Sequence, residues 1–182
     1  MTGWREFDQN LVSHSAAHHL TTIQFLLDEF GYARVSDVAR HLGITRGSVS
    51  VTLKGLRQRG LVIEDEHKHL GLSDEGIRIA RGIHIKRILI QTLFHDILGI
   101  DAELAEQDAC KVEHLLSDET ADAVARLLQK IESGKTSQQL QKMIKETGKA
   151  SAGATSDFPS DTVQEFADSL EQRQIEREDE TK

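Results

Sequence analysis

The chain has 182 residues, of which 38% are hydrophobic, 29% charged and 4% aromatic, and its formal net charge is −8. This is the composition of a soluble globular protein of one domain or two small ones, and the lack of any apolar run of about 18 residues excludes a membrane-spanning helix. A single cysteine, Cys110, excludes an internal disulfide framework and a multi-cysteine zinc finger.

The first residues hold no apolar stretch flanked by basic side chains, so no secretory leader and a cytoplasmic location are expected. One proline, Pro159, leaves most of the chain free for helices. Few aromatics mean an aliphatic core.

In chain order, Trp4, Phe7, Leu11, His14 and His18 recur at helical spacing. Leu20, Ile23, Leu27 and Phe30 continue a second apolar face. Residues 4–30 are therefore expected to form one long helix or two, ended by Gly31. Ser36 is expected to cap a short helix carrying Val38, Ala39 and Leu42, which Gly43 breaks. Thr45 caps the next, with Val49, Leu53 and Leu56 as its inner stripe and Gly60 as its stop.

Residues 61–64 and 70–72 flank a polar tip, 65–69, and predict a two-stranded hairpin. Ser73 caps a fourth helix through Gly76, Ile77, Ala80 and Ile83 to Leu98, and Gly99 closes it. Residues 101–116 and 117–131 give two more helices, the second with a capping start at Ser117. Beyond Gly134 the texture changes. A short helix is expected at 137–146, a flexible linker at 148–156, and an amphipathic helix or tail at 160–180 on Val163, Phe166 and Leu170.

The fold class is thus mainly α: an N-terminal winged helix-turn-helix followed by an all-helical dimerisation domain. The expected divisions are 1–75, 76–134 and a C-terminal extension, 135–182.

Charge singles out one segment. Between Ala33 and Gly60, six basic residues stand against one acid, Asp37, on a chain that is acidic overall. A local basic island of this kind is the footprint of a DNA-reading element. With Val49, Leu53 and Leu56 turned to the core, Arg46, Gly47, Ser50, Val51, Lys54 and Arg57 point outward, toward a major groove about 12 Å wide. Arg46 suits a guanine edge or a phosphate, while Ser50 and Lys54 suit phosphates. Thr45 and Ser48 sit at the helix N-terminus, a natural anion site. In the wing, His67, Lys68 and His69 could touch the DNA backbone or minor groove. A protein-contact module of the same fold is the alternative.

Three stretches carry a family resemblance. Residues 31–39, Ser48-Val49 and 70–76 resemble the DNA-binding domain of the diphtheria toxin repressor and manganese transport regulator family. Residues 96–101 and the Cys-x-x-Glu-His-x-x-Ser-Asp stretch within 108–118 resemble its dimerisation and metal-binding domain. The resemblance covers about residues 15–130. It implies a homodimeric, metal-activated transcriptional repressor acting on double-stranded operator DNA, too short here for the SH3-like third domain of longer members.

The residues themselves leave two readings open, a metal site or a packed cysteine with a surface Glu-His pair and core histidines, and the resemblance favours the metal. Cys110, Glu113 and His114 stand at i, i+3 and i+4, one helical face, and thiolate, carboxylate and imidazole together suit a divalent transition metal. The resemblance implies a further ligand from the first helix at His18 and another at Thr21, a poor donor. His14, one turn before His18, is the substitute. The thiolate favours iron(II), with manganese(II), zinc(II) or cobalt(II) as alternatives.

The family's ancillary metal site maps to positions held here by Arg87 or Ile88, Gln91 and Glu106. Arg87 and Glu106 are expected to pair as a salt bridge there, and His84 is a weaker candidate to restore a ligand. Leu89, Leu93, Phe94 and Ile97, with Ile88 and Leu98, are too apolar for a solvent-facing helix and form the expected dimer seam. Two alternatives stay open: a winged-helix regulator that senses oxidation at Cys110 or an organic ligand, and an enzyme. No zinc-hydrolase, phosphate-loop or nucleophile-elbow motif favours the enzyme.

Overall fold

The computed structural model describes residues 12–133, together with Lys142 and Ser169. The helix start expected at 4–11 lies outside the described residues. So do the segments expected at 137–146, 148–156 and 160–180, those two residues excepted.

Helix α1 (His14–Phe30) starts at Ser13, whose hydroxyl accepts the Ala16 N–H. Helix α2 (Val35–Leu42) starts two residues earlier than Ser36 would have it: the N-cap is Arg34, without a side-chain bond. The Arg34 carbonyl instead accepts the Asp37 and Val38 N–H groups at 2.9 and 3.0 Å, and Asp37 gives the first turn the acid that the helix dipole favours. Gly43, at φ +66°, makes the left-handed turn to α3 (Arg46–Gln58), a backbone state that costs glycine nothing.

Thr45 caps α3 by accepting the Ser48 N–H at 3.1 Å. Val49, Leu53 and Leu56 are buried beneath it. Strands β1 (Val62–Glu64) and β2 (Leu70–Leu72) pair antiparallel with Val62 opposite Leu72 and Glu64 opposite Leu70. Alternation puts Val62, Leu70 and Leu72 in the core and leaves Ile63 exposed.

Ser73 caps α4 (Asp74–Thr92). A π-helical turn, Leu93–Ile97, follows where one uninterrupted helix to Leu98 is expected. Gly76 in the first turn of α4 packs on the hairpin so closely that a Cβ there would lie 2.2 Å from the Leu61 carbonyl oxygen. That oxygen cannot move freely, because it already accepts the Ser73 N–H at 3.1 Å. Gly76→Ala is therefore expected to cost about 1–3 kcal/mol or more, as overpacking against backbone does, read as a lower midpoint in urea unfolding.

Asp101 caps α5 (Ala102–Val112), and Ser117 caps α6 (Asp118–Glu132). Helix α5 ends four residues short of the expected 116. Ser117 must be extended (ψ 158°) to cap α6, so the chain unwinds over 113–116, with the Leu115 and Leu116 N–H groups both returning to the Val112 carbonyl.

One aliphatic core joins α1, α2, α3, the hairpin and the first half of α4, from Val12 through Leu20, Ile23, Leu53 and Leu70 to Ile83. Ile90, Ala105, Ala109, Ala121 and Leu128 are buried outside that cluster, where α4 meets α5 and α6. Helix α4 thus runs from one packed unit into the other. Among the described residues no helix is long and apolar enough to cross a membrane.

Candidate metal centre and nucleic-acid interface

Helix α1 turns two faces outward from one backbone. Ala17, Leu20 and Ile23 enter the core. On another face His14 and His18, one turn apart, meet edge to face with ring centroids 4.5 Å apart and Nε2 atoms 3.2 Å apart. Helix α5 brings Cys110 to them, its Sγ 3.2 Å from His18 Nε2. One ligand atom from each of His14, His18 and Cys110 lies within 4.8 Å of the other two.

The other two expected ligands border this set. The His114 ring lies 4.9 Å from that of His14. Glu113 is 1% exposed, with Arg87 Nε 3.8 Å from its Oε2. Because α5 has already ended, Cys110 is helical, Glu113 is its C-cap and His114 lies in the turn. Glu113 keeps helical dihedrals and its N–H still returns to the Ala109 carbonyl, so the expected face holds for Cys110 and Glu113, and His114 stands just past the helix end. Lys86 holds this turn, its Nζ donating to the Leu116 carbonyl at 2.6 Å and pairing with Asp118 at 2.7 Å. Nothing in the residue pattern marks Lys86, since its partners lie about thirty positions away. Thr21 donates its hydroxyl to the Ala17 carbonyl and is spent within α1. His84 is exposed and outside the cluster.

The residues fit a divalent ion on two counts. The 3.2 Å between the His14 and His18 Nε2 atoms is close to the roughly 3.3–3.4 Å that separates two nitrogens on a tetrahedral ion with metal–nitrogen bonds of about 2.0–2.1 Å, and Cys110 Sγ lies within reach of both. Beside them, Glu113 Oε2 and His114 Nδ1 are buried without a hydrogen-bond partner, a condition that costs about 1–3 kcal/mol per group unless something fills it.

The electrostatics agree with that use. Burial lowers the His18 pKa, helped by the neighbouring charges of His14, Arg87 and His114. Burial, then His14, lowers that of His114. Both imidazoles thus favour the neutral, ligating form. Burial, then the Glu113 charge, raises the Cys110 thiol. Burial pushes Glu113 up to about 7 against the opposing pull of Arg87. An entering cation would displace protons from these last two groups.

Arg87 also reaches Glu106, Nη2 donating to Oε1 at 3.2 Å. The expected Arg87–Glu106 pair is present. Its extension to Glu113 is not foreseeable from sequence.

Thr45, Arg46, Gly47, Ser48, Ser50, Val51 and Lys54 are all exposed, Thr45 as the N-cap of α3 and the others along it. Ser48 shares a 2.9 Å hydrogen bond with the Thr45 hydroxyl, and Ser50 donates its own to the Arg46 carbonyl at 2.9 Å. Arg57 is not available to a groove in the same way, because it pairs with Glu64 of the wing. Lys68 lies at the wing tip, 81% exposed, with Glu64 3.2 Å away. His69 is tied to Arg34 and Asp65. In the second unit Leu89, Leu93, Phe94 and Ile97 are half-buried, and Ile85 and Ile88 beside them are exposed.

A winged helix joined to a helical unit, with a histidine–cysteine cluster at the junction, defines a class of DNA-binding regulators that carry a metal site. Residues 73–139 match the family model described as "iron dependent repressor, metal binding and dimerisation domain", and residues 15–69 match that of the MarR family. The chain is 30% identical to the HTH-type transcriptional regulator MntR of Lysinibacillus sphaericus over 118 residues, 65% of this chain and 84% of that one. It is 30% identical to the MntR of Bacillus velezensis over 122 residues, 67% and 85% of the two chains. The crystal structure of T. acidophilum IdeR superposes with a TM-score of 0.54 at 25% identity, over 62% of this chain and 53% of that one. The chain therefore spans about half the length of the IdeR structure it matches. It belongs to the diphtheria toxin repressor and manganese transport regulator family of metal-dependent, DNA-binding transcriptional regulators. Its relatives are named as regulators, not as enzymes.

Proposed function

We propose that this chain represses transcription as a homodimer whose grip on operator DNA depends on a divalent metal held by His14, His18, Cys110, Glu113 and His114. The convergence of His14, His18 and Cys110 from α1 and α5 carries this reading. The metal supplies a bond between the two packed units. His14 and His18 belong to the helix that anchors the winged-helix core, while Cys110, Glu113 and His114 belong to the second unit. Joining them fixes the orientation of α3 relative to the dimer seam at Leu89, Leu93, Phe94 and Ile97. Two α3 helices can then sit one DNA turn apart, about 34 Å.

The thiolate makes iron(II) the favoured ion, with manganese(II), the metal named in the titles of three solved structures of similar fold, next, and zinc(II) and cobalt(II) behind. Oxidation sensing is the weaker reading, since a thiol raised by burial and by Glu113 is little ionised and slow to react.

The test is fluorescence anisotropy of the purified chain on its own upstream DNA, in chelator and then in iron(II) or manganese(II). Metal-dependent binding that His114→Ala abolishes is expected. Binding indifferent to both would discard the metal switch and keep the winged helix.

Thr45, Arg46, Gly47, Ser48, Ser50, Lys54 and Lys68 form the DNA face. In the same assay Arg46→Ala is expected to cost about 1–3 kcal/mol and to relax discrimination at one base pair. Lys54→Ala should weaken all sequences alike and lower the log–log salt slope by about one.

A further inference from the structure

Arg87 leaves the middle of α4 with its side chain 31% exposed and meets α5 twice. Its Nη2 lies 3.2 Å from Glu106 Oε1, and its Nε lies 3.8 Å from Glu113 Oε2. Glu106 is a surface carboxylate, whereas Glu113 is buried and its Oε2 accepts no hydrogen bond. Among the described residues, Arg87 is the cation within ion-pairing distance of that buried carboxylate. The compact donor set, His14, His18 and Cys110, does not include Glu113.

We propose that Arg87 is a resident competitor for the metal: it holds Glu113 in the metal-free chain, and an incoming divalent cation must take that carboxylate from it. Arg87 thereby sets the metal concentration at which the regulator responds. This rests on the metal reading above.

The charges give the direction. A guanidinium beside the ligands repels a divalent ion about twice as strongly as it repels a proton. Neutralising Arg87 therefore favours the metal even though it also favours protonation of Glu113. Glu106 draws the guanidinium outward, so removing its charge leaves Arg87 to Glu113 alone. A mere strut between α4 and α5 would behave differently. Either variant would break the same contact, and both would shift metal binding the same way. The strut role is in any case supplied by the adjacent Lys86, which already ties α4 to Leu116 and Asp118.

The experiment titrates cobalt(II) into the full chain, following the cobalt–thiolate absorption of Cys110, for wild type, Arg87→Gln and Glu106→Gln. Thermal unfolding of each metal-free form reports folding. Arg87→Gln is expected to bind at least about tenfold more tightly, and Glu106→Gln about threefold to tenfold more weakly. Equal affinities, or shifts in the same direction, overturn the proposal. If Arg87→Gln does not fold, Glu106→Gln in wild type and in a Glu113→Gln background decides: a clearly smaller loss without the Glu113 carboxylate supports the competition, and an equal loss, which the missing Glu106 charge beside Cys110 causes by itself, overturns it. A wild type that takes up no cobalt overturns the metal reading itself, and this inference with it, which the wild-type titration alone reveals.

Discussion

Cys110→Ser is expected to cost the chain more than about 100-fold in affinity for iron(II), cobalt(II) and zinc(II), beyond the 10–100-fold typical of losing an outer-shell partner. The thiol stands 3.2 Å from His18 Nε2 and is the donor that α5 contributes to the compact set. A serine hydroxyl is nearly isosteric, so the packing beside buried Ala109 is kept. The variant should therefore fold and lose only the soft ligand. Manganese(II), which prefers oxygen donors, should lose far less. Cys110→Asp carries the argument further: a carboxylate in the same place should move the preference toward manganese while leaving two imidazoles in position. Metal titration with each ion, read by calorimetry, gives the order directly. If iron(II) and manganese(II) fall by the same factor, Cys110 shapes the pocket without selecting its occupant.

The contrast between what the residues announce and what the coordinates add is instructive at this site. The winged helix is legible because each element has a local signal: Thr45 and Ser73 as caps, Gly43 as a left-handed turn, and a polar tip at 65–69 between the two short apolar runs of the hairpin. Ser36 misleads because a helix can start on backbone hydrogen bonds alone, and Arg34 supplies the carbonyl. The end of α5 misleads for a different reason. Helical periodicity runs on through His114 and Leu116, but the cap geometry demanded by Ser117 overrides it.

At the candidate metal site the i, i+3, i+4 spacing groups Cys110, Glu113 and His114 along one stretch of chain. It cannot say that the two histidines of α1 come first to the thiol, because that depends on how α1 crosses α5. His14, favoured least by the resemblance, lies in the compact set, while Glu113 turns to Arg87. Lys86 and the Arg87–Glu113 contact are tertiary features with no local signature.

Glu113→Gln should separate stability from function. In the folded, metal-free chain burial pushes the Glu113 pKa up to about 7, Arg87 opposing, whereas in the unfolded chain it returns to the ordinary carboxylate value of about 4.3. Below that lower value both states hold the proton and Glu113 costs nothing. Between the two, the unfolded chain has released its proton and the folded chain has not, so stability falls as pH rises. Above about 7 the loss is complete, on the order of 4 kcal/mol at most by the 1.4 kcal/mol per pKa unit of linkage. Glutamine removes this term without orphaning Arg87, which keeps Glu106. In chelator, the variant should therefore unfold at a higher temperature than wild type at pH 8, by about 2–4 °C per kcal/mol gained, and at the same temperature near pH 4. The same substitution removes an anionic ligand, so metal should stabilise wild type at pH 8 and the variant hardly at all. The melting curves of the two proteins would then cross over as metal is added. If the metal-free variant gains nothing at pH 8, Glu113 is already well compensated by Arg87. If metal stabilises both equally, Glu113 stays with Arg87 and the ion is held by His14, His18, Cys110 and His114 alone.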